Sequence, residues 1–276
     1  MIEFEIKYER RIVAFLDVLG FKQHVFRSNN NLLNKYFSIV QNELANLRGD
    51  KKEIKSLIVS DSIVLVTRTT QNDFKSLLIL ISKIQTILGL NNIWLRGGIS
   101  IGDIYYDQEK SLMVGPALIQ AYLIEEEFAK YPRVILDTKL LLHFNANPKK
   151  MLNLFNNIFR GSSIYKGKLY DNIPLLRYNE INEDGLIYIS YSTYFICRLL
   201  NWDNENKDYE ISVSKFFKTF KNEMYSSTKH YDKYQWIREK LQLALSDIEY
   251  YYKKRETLPD NKVKRLNDLR GKINEM

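Results

Sequence analysis

Cysteine is almost absent: Cys197 is the only one in 276 residues. No intrachain disulfide can form, and no Cys-rich zinc site exists. Histidine is nearly as scarce. His24, His143 and His230 stand far apart, no two at metal-ligand spacing, and each reads as a structural residue. Five prolines and 11 glycines do not gather into a linker, and no internal repeat is present. Apolar runs such as Leu77–Ile81 fall far short of the ~20 residues of a membrane-spanning helix. Glu3 and Glu5 give the segment after Met1 the wrong charge for a signal peptide. The expectation is a soluble cytoplasmic protein with no membrane partner.

What is plentiful is apolar and basic. Hydrophobic residues make up 45% and aromatics 13%, enough for a real core, which excludes a mainly disordered chain. The formal net charge is +8, and five of those charges lie from Lys207 onward. Such a balance suits an anionic substrate or partner. Charge alone motivates a nucleic-acid-binding reading, and no nucleic-acid partner is expected.

Residues 11–17, RIVAFLD, predict a buried strand ending in an acid. Val18 to Phe21 predicts a turn, and the helical spacing from Leu32 to Leu47 predicts a helix. Residues 54–59 and 62–67 predict a hairpin with Ser60 and Asp61 at its tip. A helix over Asp73 to Leu88 follows, then a strand over 93–101 with 103–107 as its hairpin partner, which makes Asp103 a turn residue. Gly115 to Lys130 predicts a helix, 134–137 a strand and 138–144 a short helix, with further strands at 175–177 and 186–191. This order argues an α+β fold, a mixed sheet covered by helices. The expected division is a domain over 1–190 and a helical extension over 191–276.

Asp17 in FLDVLGF and Asp61 in SDSIVLV stand at the ends of apolar strands. A carboxylate there must be solvated, hydrogen-bonded or metal-bound, because burying it unpaired is costly. If the two strands are neighbours, the carboxylates converge and repel, and Mg²⁺ or Mn²⁺ removes that penalty. Gly20 lets the backbone of the following turn approach a phosphate. The competing reading has Asp17 capping a helix and Asp61 stabilising a turn. Ser60 and Ser62 flank Asp61 and are placed to hydrogen-bond its carboxylate.

FLDVLGF, SDSIVLV, LRGGISIGDIYY and VGPALIQAYLIEEEFA, in that order, resemble the catalytic domain of class III nucleotidyl cyclases over residues 11–137. The resemblance implies a ferredoxin-like βαββαβ core. It implies two Mg²⁺ or Mn²⁺ ions held by Asp17 and Asp61, with Val18 beside them. Those ions activate the ribose 3′-hydroxyl of a nucleoside triphosphate for attack on the α-phosphorus, expelling pyrophosphate. It implies that the backbone of Val18, Leu19, Gly20 and Phe21 cradles the outer phosphates, with Lys22 adding a contact. It also implies a head-to-tail homodimer whose sites are built from both chains.

The departures from that family narrow the expectation. Its purine cyclases read the base with a Lys four positions before the second aspartate and an Asp three before the helix-opening glycine. Those positions are Leu57 and Leu112. Ile119 and Leu123 stand where a transition-state Asn and Arg belong, with Gln120 and Glu125 as nearby polar residues. The chain is most similar to the bacterial pyrimidine cyclases of the Pycsar anti-phage systems, which lack the purine readers and make cyclic UMP or cyclic CMP. They carry helical material after the core, and KHYDKYQWIREKL (229–241) is of a kind associated with this group. The resemblance thus implies UTP or CTP as substrate, with Ser56, Arg96 or backbone groups meeting the base. It also implies a separate effector that senses the cyclic product. A purine cyclase or an inactive nucleotide-binding module is the alternative. Arg96 has a second reading of its own, an ion pair within the fold.

Overall fold

The computed structural model describes residues 6–21, 30–48, 54–107, 110–156, 176–178, 185–200, 209–255 and 260–276. Lys22 and His24 lie outside the described residues. Strand β1 (Glu9–Val18) leads to helix α1 (Asn30–Arg48), the hairpin β2 (Lys55–Val59) and β3 (Ser62–Thr67), helix α2 (Gln71–Gly89) and strand β4 (Leu95–Asp107). β1 lies between β3 and β4 and is antiparallel to both, while β2 flanks β3. The order β4-β1-β3-β2, with a helix after β1 and another after β3, is the ferredoxin-like βαββαβ arrangement.

The chain then adds β5 (Leu112–Val114), helix α3 (Pro116–Phe128), β6 (Val134–Leu136), helices α4 (Thr138–Phe144) and α5 (Pro148–Asn156), β7 (Leu176–Tyr178) and β8 (Ile187–Ile189). β6 pairs with β4 in parallel, β8 and β7 extend the sheet antiparallel, and β5 pairs with the far end of β4. The result is a mixed sheet among helices, an α+β fold as the element order predicts.

One expectation is overturned. Residues 93–101 and 103–107 are not two strands of a hairpin; β4 is a single strand of 13 residues, and its hairpin partner is β5. Gly102 therefore marks no turn, and Asp103 sits in mid-strand opposite Arg10. A β-carbon on Gly102 would meet Ala117 at 3.5 Å, an ordinary van der Waals contact, so the strand has room for a side chain there.

Strand alternation sorts the side chains onto two faces. Ile12, Ala14, Leu16, Ile63 and Leu65 join the main core, where α2 contributes Phe74, Leu77, Leu78, Ile81 and Ile84. Val13, Val64, Val66 and Ile104 face the other way, against Ala117 and Ala121 of α3. α3 lies so close because Gly98 has no side chain: a β-carbon there would fall 2.3 Å from the Ala121 carbonyl oxygen and 2.7 Å from Ile124. Gly98→Ala must push the helix off the sheet. We expect it to lower stability by ~1–3 kcal/mol, read as a drop in denaturant midpoint at unchanged slope. An unshifted midpoint would show that α3 is not seated on this glycine.

After residue 190 come helices α6 (Ser192–Leu199), α7 (Tyr209–Met224), α8 (Thr228–Arg255) and α9 (Asp260–Asn274). The main core continues into them without a break. The indole of Trp94 stacks on Phe195 with centroids 5.9 Å apart and meets Phe220 and Tyr234 edge-on. No described helix is long and apolar enough to cross a membrane.

Candidate active site

Asp17 is the penultimate residue of β1, and its register partner on β4 is Arg96. Both therefore point to the α3 face. Arg96 Nε and Nη2 each donate to Asp17 Oδ2 at 3.3 Å. Glu125, one helical turn beyond Ala121, reaches down from α3. Its Oε1 lies 2.7 Å from Arg96 Nη2, within ion-pair range but off the hydrogen-bonding direction. The guanidinium is thus held between two carboxylates, one of them only 4% exposed. Of the two readings of Arg96, this is the ion pair within the fold.

Asp61 arrives from the other side, at the tip of the β2–β3 hairpin. Ser60 takes φ +57°, the left-handed backbone that a two-residue hairpin loop requires. Tyr36 of α1 donates its hydroxyl to the Asp61 carbonyl oxygen at 3.2 Å and fixes the tip over the sheet.

The acids feel one another. Burial pushes the Asp17 carboxyl up to about 6; Arg96 pulls it down, and the charge of Asp61 adds to the rise. Burial pushes Glu125 up to about 7, again opposed by Arg96 and helped by Asp17. The Tyr36 hydroxyl is raised by burial and then by Asp61 and Asp17. Three carboxylates outnumber the one guanidinium between them, an arrangement that a divalent cation would relieve. Among the described residues no group of three or more His, Cys, Asp or Glu could hold a metal alone. The pair Asp17 and Asp61 fits Mg²⁺ or Mn²⁺ as such ions are held on nucleotides, by one or two carboxylates with phosphates and water completing the shell.

The other expected residues divide. Gly20 follows β1 at φ +78°, the conformation its missing side chain permits. The Leu19 N–H donates to the Trp94 carbonyl oxygen at 2.9 Å, so it is already committed. Phe21 is buried against Tyr36, leaving only its backbone to meet a ligand. Leu57 shares the face of Asp17 and leans on the α3 cluster, as does Met113. Leu112 is 42% exposed on β5. Ser56 alternates to the opposite face, beside Ile58 of the main core, and is not brought to Asp17 and Arg96.

Sequence reasoning assigned no part to Tyr36 or Lys233 and left Glu125 without a partner. The signal for Glu125 was legible: Ala117, Ala121 and Glu125 recur every four residues, which puts an acid on the buried face of α3. Tyr36 reads as an ordinary core aromatic, and nothing local reveals the acids above it.

No protein-family model matches the sequence, and no curated protein does. Among solved structures, the chain is similar to a bacterial light-regulated adenylyl cyclase at TM-score 0.41 and 16% identity, over 52% of this chain and 47% of that one. It is also similar to the adenylyl cyclase CyaB from P. aeruginosa at TM-score 0.40 and 12% identity, over 51% and 82% of the two chains. The guanylyl cyclase Cya2 aligns at TM-score 0.40 and 14% identity, over 67% and 93%.

Proposed function

We propose that the chain is a metal-dependent nucleotidyl cyclase that converts UTP or CTP to its 3′,5′-cyclic monophosphate and pyrophosphate. The observation that carries this reading is the meeting of Asp17 and Asp61 at the ends of adjacent strands of a ferredoxin-like sheet, beside a glycine turn. Residues 1–190 are the catalytic domain in this proposal, and 191–276 a helical extension.

Asp17 and Asp61, with Val18 beside them, would hold two Mg²⁺ or Mn²⁺ ions. Such ions polarise the attacking hydroxyl and neutralise the triphosphate. The chain's own residues orient the nucleotide. The turn at Gly20 and Phe21 offers backbone N–H groups to the outer phosphates. Arg96, anchored by Glu125, holds the Asp17 carboxylate in place. The 3′-oxygen bonds to the α-phosphorus, the bond from that phosphorus to the bridging oxygen breaks, and pyrophosphate leaves with the electron pair. The hydroxyl proton passes to a carboxylate of the site or to water. The cyclic product is the messenger, read by a separate effector protein in anti-phage defence.

The test is direct. The purified protein is incubated with each of the four ribonucleoside triphosphates and Mn²⁺, and products are identified by mass. Cyclic UMP or cyclic CMP is expected; absence of every cyclic nucleotide would remove the proposal.

The active form in this reading is a homodimer. The solvent side of α3 and the neighbouring β5 expose Ile119, Tyr122, Phe128, Leu112 and Val114, more apolar surface than a solvated helix and hairpin need. Ile119→Lys should shift light scattering from dimer to monomer and remove turnover together. An active monomer at assay concentration would rule this assembly out.

A further inference from the structure

A concavity opens beside the Gly20 turn. It has a volume of about 200 Å³ and lies between that turn and the helices that follow residue 190. Leu19 and Gly20 form one wall; Lys229, His230 and Lys233 from the first turns of α8 form the other. Three contacts hold α8 there. Trp94 accepts from the Leu19 N–H with its carbonyl oxygen while its ring meets Tyr234. Lys130 pairs with Asp232 at 2.9 Å, and Tyr131 stacks on Trp236 with centroids 5.5 Å apart and planes 3° from parallel. The face of α8 between those anchors is pinned beside the end of β1.

Lys229 and Lys233 are one helical turn apart, so their ammonium groups lie side by side and repel. Among the described residues neither has a carboxylate in ion-pair range. Lys233 is half-buried as well. Burial depresses its ammonium first, then Lys229 and Arg96, while Asp17 and the neighbouring Asp232 act in the opposite direction. The lysine thus senses both Asp17 and Arg96 from an element far away in sequence. The one carboxylate lining the cleft, Glu223, lies 3.8 Å from His230 Nδ1, which also meets Ser226 Oγ at 2.7 Å. Two adjacent cations, one of them half-buried, facing a glycine turn form a site suited to an anion. The cleft is smaller than the ~300–1,000 Å³ of an ordinary small-molecule pocket. It suits a phosphate tail, with the nucleoside outside it.

We propose that this cleft receives the polyphosphate tail of the nucleotide, with Lys229 and Lys233 binding its terminal phosphates and Gly20 giving the backbone close access. The inference rests on the nucleotide reading above and extends it: the helices after residue 190 contribute to the substrate site. The probe is inorganic tripolyphosphate with Mn²⁺, titrated by calorimetry. The wild-type protein should bind it, and Lys229→Ala with Lys233→Ala should weaken binding by about tenfold or more, the scale of losing charge-assisted contacts. Lys233→Arg should retain most of the affinity. Lys139→Ala, which removes a charge from an exposed position of α4 outside the cleft, should change it little. Lys229→Gln and Lys233→Gln made singly, with circular dichroism matching wild type, guard against a misfolded double variant; each should weaken binding. Unchanged affinity in folded lysine variants overturns the proposal, and so does a wild-type protein that ignores tripolyphosphate. Lysine-dependent tripolyphosphate binding without any cyclic product from the four triphosphates would uphold the cleft and remove the cyclase.

Discussion

Asp17→Asn and Asp61→Asn should each abolish nucleotide turnover while leaving the protein folded. Either change removes one of two negative charges that meet at the strand ends, and a carboxamide is a poor ligand for Mg²⁺ or Mn²⁺. Loss of a metal worth several kcal/mol to the transition state corresponds to a rate fall on the order of a thousandfold. The fold should tolerate both changes. Arg96 keeps Glu125 when Asp17 is neutralised, and relief of the repulsion from Asp61 offsets the lost ion pair. Asp61 sits in a hairpin tip held by its own backbone carbonyl, which Asn retains. Turnover by mass detection and a thermal melt check the two halves separately. Wild-type-like turnover in either folded variant would refute the metal assignment.

A pyrimidine triphosphate should be consumed at least about tenfold faster than ATP or GTP. Leu57 and Leu112 stand where hydrogen-bonding purine readers are expected, and neither has a group to offer a base. A purine edge buried against them would lose water without gaining a partner, at ~1–3 kcal/mol per polar group, or roughly ten- to a hundredfold. The exposure of Leu112 fits a pocket closed by a second copy of the chain. Rates with all four triphosphates, measured side by side in Mn²⁺, decide the matter. Equal or greater cyclic AMP production would show that the leucines do not stand in for the readers.

The core architecture was legible because its signals are local. Apolar runs ending in Asp17 and flanking Asp61, and helical spacing between them, carry the βαββαβ order without knowledge of contacts. β4 is not legible as one strand, because a glycine looks the same in sequence whether it turns a chain or sits within a strand; only the register of Gly102 against Arg11 decides. Alternation should have placed Ser56 away from Asp17, since Leu57 beside it takes the opposite face. Arg96 was visible as a candidate, but its pairing with Asp17 and Glu125 depends on strand register and on a helix 29 residues later. Lys233 was invisible in that role, because nothing within α8 tells where the helix docks.

Trp94 ties the order of synthesis to the order of burial. Its backbone serves the turn after β1, yet its ring is enclosed by Phe195, Phe220 and Tyr234, which are translated a hundred residues and more after it. A nascent chain that has completed every described strand still presents this indole, and the apolar surface around it, to the solvent. Local pairing of β1 through β4 can form early, but closure of that wall has to wait for α8 to leave the ribosome. In that interval the exposed patch is what a chaperone or a second nascent chain would meet.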